Sequence, residues 1–178
     1  MISLDRHLER FVVLHRAGWL DWLFVGLSRI GTLGLVWIAI AALLAVLLRR
    51  PGVFVMTVGA VASADLIAFG LKSVVRVDRP PLRDPSPDPL VQLPADHSFP
   101  SGHSATSFAA ALVLARAVPQ RAWLFYLLAA AIAFSRVYVG VHYPLDVLGG
   151  AVLGVAVATA LRLLVRARPR SRPEPPPG

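Results

Sequence analysis

Three short stretches of the sequence carry residue types that can bind and transfer a phosphoryl group. Each combines basic side chains with hydroxyl, imidazole or carboxylate groups, and they are KSVVRVDRP (72–80), PSGH (100–103) and SRVYVGVHYPLD (135–146). A phosphoryl group in transfer spreads negative charge over its oxygens, and cations and N–H donors directed at those oxygens stabilise the transition state. These stretches predict phosphoryl-transfer chemistry if the fold brings them together.

The basic residues of these stretches are the candidate phosphate ligands. Lys72, Arg79 and Arg136 supply cations, and arginine can bind a phosphate through two parallel hydrogen bonds. Ser101 and Gly102 lie where a loop is expected to become a helix, so their N–H groups and the positive end of that helix can hold an oxyanion.

The two histidines divide the nucleophilic and proton-transfer work. Pro144 suits the first turn of a helix, which places His142 just before that helix and Asp146 in its opening turn. The Asp146 carboxylate can then accept a hydrogen bond from one imidazole nitrogen and leave the other free to attack phosphorus. His103 is predicted to protonate the departing oxygen and then to activate water. This chemistry requires no metal ion and no cofactor.

Each of these residues also has an ordinary structural explanation. Lys72 can mark the end of a membrane span, Ser101 can cap a helix, and Asp146 can interact favourably with a helix N-terminus. The combination favours a functional site, because the separate structural explanations do not account for three cations, two histidines and a carboxylate together at the ends of apolar segments.

Composition indicates an integral membrane protein. Of 178 residues, 56% are hydrophobic, and the formal net charge is +8. The basic residues cluster at the ends of apolar runs and do not interleave with exposed aromatics, which argues against nucleic acid as a partner and favours membrane lipids. The chain has no cysteine, which excludes disulfides and thiolate metal sites.

The apolar runs predict an all-α, integral-membrane helical bundle. About five transmembrane helices are expected, with six as the alternative, at 32–48, 53–71, 104–115, 122–134 and 147–161. Two amphipathic, interfacial helices are expected before them, within 4–16 and 19–30. The predicted division is N-terminal helices at 1–30, a catalytic transmembrane domain at 31–166, and a disordered, basic, proline-rich tail at 167–178. Residues 73–100 should form a loop, and the recurrence of Gly150, Gly154 and Ala158 predicts close helix packing.

Five alternating spans would put all three phosphoryl-transfer stretches on one face of the membrane. The opposite face carries arginines, including Arg49, Arg50, Arg116, Arg121 and Arg162, and the two faces have similar numbers of basic residues. Several bases on the first of these faces are assigned to phosphate binding, which leaves the opposite face as the cytoplasmic side. We therefore expect a multi-pass plasma-membrane protein with an extracytoplasmic site and a cytoplasmic C-terminus.

The three stretches together resemble the signature of the type 2 phosphatidic acid phosphatase (PAP2) superfamily. That signature is lysine, six residues and Arg-Pro; then Pro-Ser-Gly-His; then Ser-Arg, five residues, histidine, three residues and aspartate, and all three parts match in order across 72–146. The resemblance implies a membrane phosphatase with His142 as nucleophile, Asp146 as its partner and His103 as acid and base. It also implies a phosphate pocket made of Lys72, Arg79, Ser101, Gly102 and Arg136. Many such proteins have a sixth span before the amphipathic segments; we expect none here, with the N-terminus outside.

The expected function is hydrolysis of a lipid phosphate or diphosphate through a phosphohistidine. The candidate substrates are undecaprenyl diphosphate, phosphatidylglycerol phosphate, phosphatidate and a polyprenyl-phosphosugar phosphate. A phosphotransferase using the same site, or a non-catalytic protein that binds or flips lipid headgroups, remains an alternative. The sequence leaves the oligomeric state open.

Four of the acidic residues outside the signature need an interpretation of their own. Asp65 should face the bundle interior, where it either supports Lys72 or makes a structural hydrogen bond. Asp84, Asp88 and Asp96 are interpreted as acids of a solvated loop.

Overall fold

The structure, a computed structural model, describes residues 3–167, which fold into helices joined by turns and one long loop. The α-helices, in chain order, are α1 (Ser3–Leu14), α2 (Gly18–Ile30), α3 (Leu35–Leu47), α4 (Pro51–Val75), α5 (Pro80–Arg83), α6 (Gly102–Ala117), α7 (Ala122–Tyr138) and α8 (Pro144–Ala167). The all-α prediction is confirmed for this part of the chain. The predicted tail, 167–178, lies outside the described residues apart from Ala167.

Only some of these helices have the length and composition of a membrane span. The α4 region (Pro51–Arg83) and α8 qualify, and α2 with α3 would make a third if that pair, bent by 57°, is one broken span. The bend occurs where Leu33 and Gly34 adopt left-handed backbone angles, with φ of 52° and 67°. Helices α6 and α7 have 16 and 17 residues, fewer than the roughly 20 needed to cross about 30 Å of hydrocarbon. All five apolar runs form helices, but a count of five spans is not confirmed.

Helix α6 packs closely against α8 because two glycines of α8 face it. A Cβ atom on Gly154 would lie 2.1 Å from the Ala105 carbonyl oxygen, and one on Gly150 would lie 2.3 Å from that of Ser101. Ala158, one turn further along, is 2% exposed. The predicted small-residue packing is confirmed, and it brings the first turn of α8, with Asp146, against the first turn of α6.

Helix α1 is amphipathic as predicted, but its acidic residues face the protein. Asp5 and Glu9 are buried, whereas Leu4, Phe11 and Leu14 are about 60% exposed. The Asp5 carboxylate accepts a hydrogen bond of 2.9 Å from the Leu145 N–H, one of the free donors at the start of α8. The acidic side of α1 therefore faces the protein and not solvent.

Burial of Glu9 should make stability depend on pH. Burial raises the pKa of Glu9 from 4.5 to about 7, although Arg10 and Arg16 oppose the rise. The unfolded chain then releases this proton at lower pH than the folded chain, so stability falls as the pH rises from 4.5 through 7. We expect Glu9→Gln to recover up to about 3 kcal/mol at pH 8 and little at pH 4.5. Thermal unfolding in detergent at both pH values measures this, with exposed Asp88→Asn as control; equal effects at the two pH values would contradict it.

Candidate active site

The three phosphoryl-transfer stretches meet at one cavity of about 170 Å³. Six of the eight predicted site residues line it, namely Lys72, Arg79, Gly102, His103, Arg136 and His142. Ser101 and Asp146 are buried behind the wall, with 0% and 1% exposure. The C-terminal part of α4, the N-terminus of α6, the C-terminal part of α7 and the loop before α8 position these side chains.

His142 lies between a carboxylate and the cavity. Its Nδ1 is 3.3 Å from Asp146 Oδ2, and its Nε2 is 3.1 Å from Arg79 Nη1. A proton on Nδ1 can therefore be held by Asp146, which leaves the Nε2 lone pair on the side of the cations. Burial, followed by the positive charges of Arg79 and Arg136, holds the pKa of His142 well below its usual value. The imidazole is thus kept neutral, as a nitrogen nucleophile must be.

Sequence reasoning missed Ser98, which fixes the carboxylate behind His142. The Ser98 hydroxyl donates to Asp146 Oδ2 at 2.5 Å and lies 3.2 Å from His142 Nδ1. The Tyr143 N–H donates to the same carboxylate oxygen at 2.8 Å. Asp146 is therefore oriented by a side chain from the long loop as well as by its own helix turn.

Asp96 pairs with two of the predicted phosphate ligands. Its carboxylate oxygens lie 2.5 Å from Lys72 Nζ and 2.5 Å from Arg79 Nη2. Burial alone would raise the pKa of Asp96, but hydrogen bonds from Lys72 and Arg79 outweigh it and hold that pKa below its usual value. The interpretation of Asp96 as a solvated loop acid is wrong. Lys72 takes Asp96 as its ion-pair partner, not Asp65.

Removing the Asp96 charge should strengthen anion binding. The Asp96 carboxylate partly cancels the positive charges of Lys72 and Arg79. A phosphate group that enters the cavity must compete with this carboxylate for the two side chains. We expect Asp96→Asn to lower the inhibition constant for inorganic phosphate by about tenfold. Phosphate inhibition of turnover measures this, with Asp88→Asn from the same loop as the matched control. A weaker inhibition by phosphate in Asp96→Asn would mean that the carboxylate holds the two cations in place and does not mask them.

Arg136 and His103 are tied to α2 through Ser28. Arg136 Nη1 donates to the Ser28 hydroxyl, and His103 Nε2 lies 3.1 Å from the Ser28 carbonyl oxygen. Because a carbonyl only accepts, His103 carries a proton on Nε2 in this arrangement. Ser28 itself is 2% exposed. An N-terminal helix therefore supplies part of the site, which no motif in the sequence indicated.

The start of α6 borders the cavity, but the two predicted N–H donors differ in their availability. The Ser101 N–H already donates to the Asp146 carbonyl at 3.0 Å, and the Ser101 hydroxyl is buried without a partner among the described residues. Gly102 lines the cavity, and a Cβ there would lie 3.4 Å from Asp65 Oδ1. The geometry favours Gly102 over the Ser101 amide as a contact for an anion, and Asp65 borders the same space.

A second cavity joins the first and opens to the side of the bundle. It measures about 420 Å³ and shares Asp65, Lys72, Asp96 and Gly102 with the first. Its outer wall includes Leu66 and Phe69 of α4, which are 71% and 66% exposed. Apolar side chains exposed on a span-length helix suit lipid, so the polar cavity communicates with the apolar side of α4.

The family model of the PAP2 superfamily matches residues 53–170. The chain belongs to the PAP2 superfamily. The relationship predicted from the three stretches is therefore confirmed, and the protein is a phosphatase of the PAP2 type with the apolar helices of a membrane protein.

Curated and structural relatives agree with this membership. An undecaprenyl-diphosphatase of Sulfolobus acidocaldarius is 32% identical over 155 residues, which cover 86% of this chain and 74% of that protein. A decaprenylphosphoryl-5-phosphoribose phosphatase of Mycobacterium tuberculosis is 38% identical over 133 residues, covering 74% and 73% of the two chains. The crystal structure of Aquifex aeolicus LpxE superposes with a TM-score of 0.79 at 27% identity, covering 91% of this chain and 96% of that one. The names of the two curated relatives specify different substrates: an undecaprenyl diphosphate for the first and decaprenylphosphoryl-5-phosphoribose for the second.

Proposed function

We propose that the protein removes a terminal phosphate from an isoprenoid lipid phosphate or diphosphate through a phosphohistidine on His142. The observation that carries this proposal is the position of His142 Nε2, which faces the cavity cations while Nδ1 faces Asp146. The isoprenoid chain is suggested by the two curated relatives, whose named substrates are both polyprenyl lipids. The apolar opening beside Leu66 and Phe69 gives such a chain a path that stays in lipid.

The first half of the reaction forms the phosphohistidine. Lys72, Arg79 and Arg136 bind the oxygens of the terminal phosphate, which requires Arg79 Nη1 to exchange its contact with His142 Nε2 for a phosphate oxygen. The freed Nε2 lone pair forms a bond to phosphorus as the bond from phosphorus to the leaving oxygen breaks. His103 acts as the acid in its doubly protonated form: it keeps the Nε2 proton on the Ser28 carbonyl and gives the Nδ1 proton to that oxygen. The lipid then leaves as an alcohol or, from a diphosphate, as a monophosphate.

The second half of the reaction releases phosphate. His103, now without that proton, accepts one from a water molecule as the water oxygen attacks phosphorus. The bond between nitrogen and phosphorus breaks, its electron pair returns to His142, and inorganic phosphate leaves. The Gly102 N–H at the start of α6 and the three cations stabilise the negative charge on the phosphoryl oxygens in both halves.

Phosphate release by the purified protein tests the proposal. The assay uses detergent, a panel of polyprenyl diphosphates, polyprenyl-phosphosugar phosphates, phosphatidate and phosphatidylglycerol phosphate, and EDTA throughout. We expect release from at least one polyprenyl substrate in the presence of EDTA. Release that EDTA abolishes would contradict metal-independent chemistry, transfer to an added alcohol without release would indicate a phosphotransferase, and binding without release would indicate a non-catalytic headgroup protein.

The membrane arrangement is part of the proposal. We infer five spans formed by α3, α4, α6, α7 and α8, following the N-terminal helices of 1–30, with the site facing away from the cytoplasm and the C-terminus inside. The basic residues Arg49, Arg50, Arg116 and Arg121 at the other end of the bundle support this orientation. Because the natural chain has no cysteine, single cysteines at 50 and 88 can be labelled with an impermeant thiol reagent on intact cells. We expect labelling at position 88 alone. Labelling at position 50 alone would show that the protein has the opposite orientation in the membrane.

A further inference from the structure

A separate cavity lies at the end of the bundle opposite the active site. It measures about 250 Å³ and is formed by the N-terminal turns of α4 and the C-terminal parts of α6 and α8. Met56, which lines it, precedes Lys72 by 16 residues on the same helix, so the two positions are about 24 Å apart. The cavity is therefore not an extension of the catalytic one.

Two arginines face this cavity from different helices. Arg116 comes from α6 and Arg162 from α8, and the remaining wall is mainly apolar, with Val53, Met56 and Leu112. Within residues 3–167 neither guanidinium has a carboxylate within 4.0 Å. Arg166 follows Arg162 by one turn of α8, so a third guanidinium carries the same charge nearby. Like charges directed at one cavity favour an anion between them.

The shape and the wall of the cavity specify the class of anion. Guanidinium groups bind phosphate oxygens bidentately, whereas the apolar wall provides no partner for a soluble, fully hydrated anion. The mouth is unobstructed beside Gly52, where an added Cβ atom would meet nothing within 4 Å. Basic pockets between membrane helices are suited to anionic lipid headgroups whose chains lie along the apolar wall.

We infer that Arg116 and Arg162 bind the phosphate of an anionic phospholipid, with an acyl chain along Val53, Met56 and Leu112. The bound lipid bridges α4, α6 and α8 at one end. These are the helices that carry Lys72, His103 and Asp146 at the other end. The lipid is a structural ligand of the bundle and not a substrate, and this site is independent of which lipid phosphate the enzyme hydrolyses.

Lipid binding to the full-length, delipidated protein tests the inference. The probe is phosphatidylglycerol, a phosphodiester without a terminal phosphate, compared with phosphatidylcholine in mixed micelles and followed by native mass spectrometry and thermal unfolding. We expect phosphatidylglycerol to remain bound and to raise the unfolding temperature more than phosphatidylcholine. The double variant Arg116→Gln/Arg162→Gln is expected to weaken its apparent affinity by about tenfold. The matched control is Arg50→Gln/Arg121→Gln, which removes two charges from the same end outside the cavity.

Each result decides for or against the site. Equal losses in the two double variants would mean diffuse attraction to basic residues and would overturn it, as would unchanged binding in Arg116→Gln/Arg162→Gln. Glycerophosphoglycerol, the same phosphodiester headgroup without acyl chains, would overturn the role of the acyl chain if it stabilised the protein as well as phosphatidylglycerol. Normal turnover of the lipid substrate in phosphatidylcholine micelles would show that the variants are folded. If the double variant does not fold, Arg116→Gln and Arg162→Gln are measured singly, and each must weaken binding for the inference to stand.

Discussion

Replacing His142 by glutamine is expected to reduce phosphate release by on the order of 10³-fold or more, because the amide of glutamine cannot replace the imidazole nitrogen as nucleophile. Its Nε2 is the imidazole nitrogen on the side of Arg79, and Nδ1 is held by Asp146 and Ser98. Glutamine keeps a polar side chain of similar length at a position that is 2% exposed, so the variant should fold. Initial rates with the best lipid from the panel, together with the unfolding temperature, measure the effect.

The matched control for this prediction is His7→Gln. His7 is an exposed histidine of α1, away from the cavity, and its replacement should leave turnover unchanged. Binding of inorganic phosphate, measured by its effect on the unfolding temperature, should persist in His142→Gln, because Lys72, Arg79 and Arg136 remain. Turnover within tenfold of the natural protein in His142→Gln would show that another group attacks phosphorus.

The second large effect is expected for Arg79→Lys. Arg79 is 1% exposed and its guanidinium donates to the Asp96 carbonyl (2.9 Å), the Asp96 carboxylate (2.5 Å) and the Val141 carbonyl (2.8 Å). A lysine ammonium is a single point donor and cannot span these positions. We expect turnover to fall by about 100-fold and stability to fall by about 2 kcal/mol, since buried carbonyl and carboxylate oxygens lose their partners.

The neighbouring Arg83→Lys is the matched control for Arg79. Arg83 pairs with Asp78 at 3.1 Å, and the two side chains are 42% and 50% exposed. Exposed ion pairs contribute about 0 to 1 kcal/mol, so this variant should change neither turnover nor stability measurably. Similar behaviour of Arg79→Lys and Arg83→Lys in denaturant unfolding and in kcat/KM would contradict the role given to the buried guanidinium.

The sequence was most informative where residue type and spacing both carry chemistry. Lys72, Arg79, His103, Arg136 and His142 could be assigned to one site because their motifs are contiguous and chemically specific, and the structure brings them to one cavity. Their catalytic roles remain predictions that the experiments above address. The helices could also be predicted, because apolar runs and the small residues of α8 leave a periodic pattern.

Residues that act through tertiary contacts could not be predicted in the same way. Asp96 reaches Lys72 and Arg79 across 24 and 17 residues of chain, in a loop without periodicity. Ser28 contributes from α2, more than 70 residues before His103 and Arg136. A lone serine or aspartate in such a segment belongs to no motif, so the sequence does not distinguish it from the other polar residues nearby. The burial of Asp5 in α1 has a related cause, since its carboxylate meets the Leu145 N–H only in the folded chain.

In the proposed reaction a phosphoryl group passes through His142, and trapping that phosphohistidine is the sharpest test of the mechanism. The protein is mixed with a polyprenyl substrate labelled with ³²P in the terminal phosphate, quenched in alkali within milliseconds, digested, and the labelled peptide is sequenced. We expect an acid-labile label on the peptide containing His142 and no label in His142→Gln. Label on a different residue, or full turnover with no labelled protein at any quench time, would contradict it.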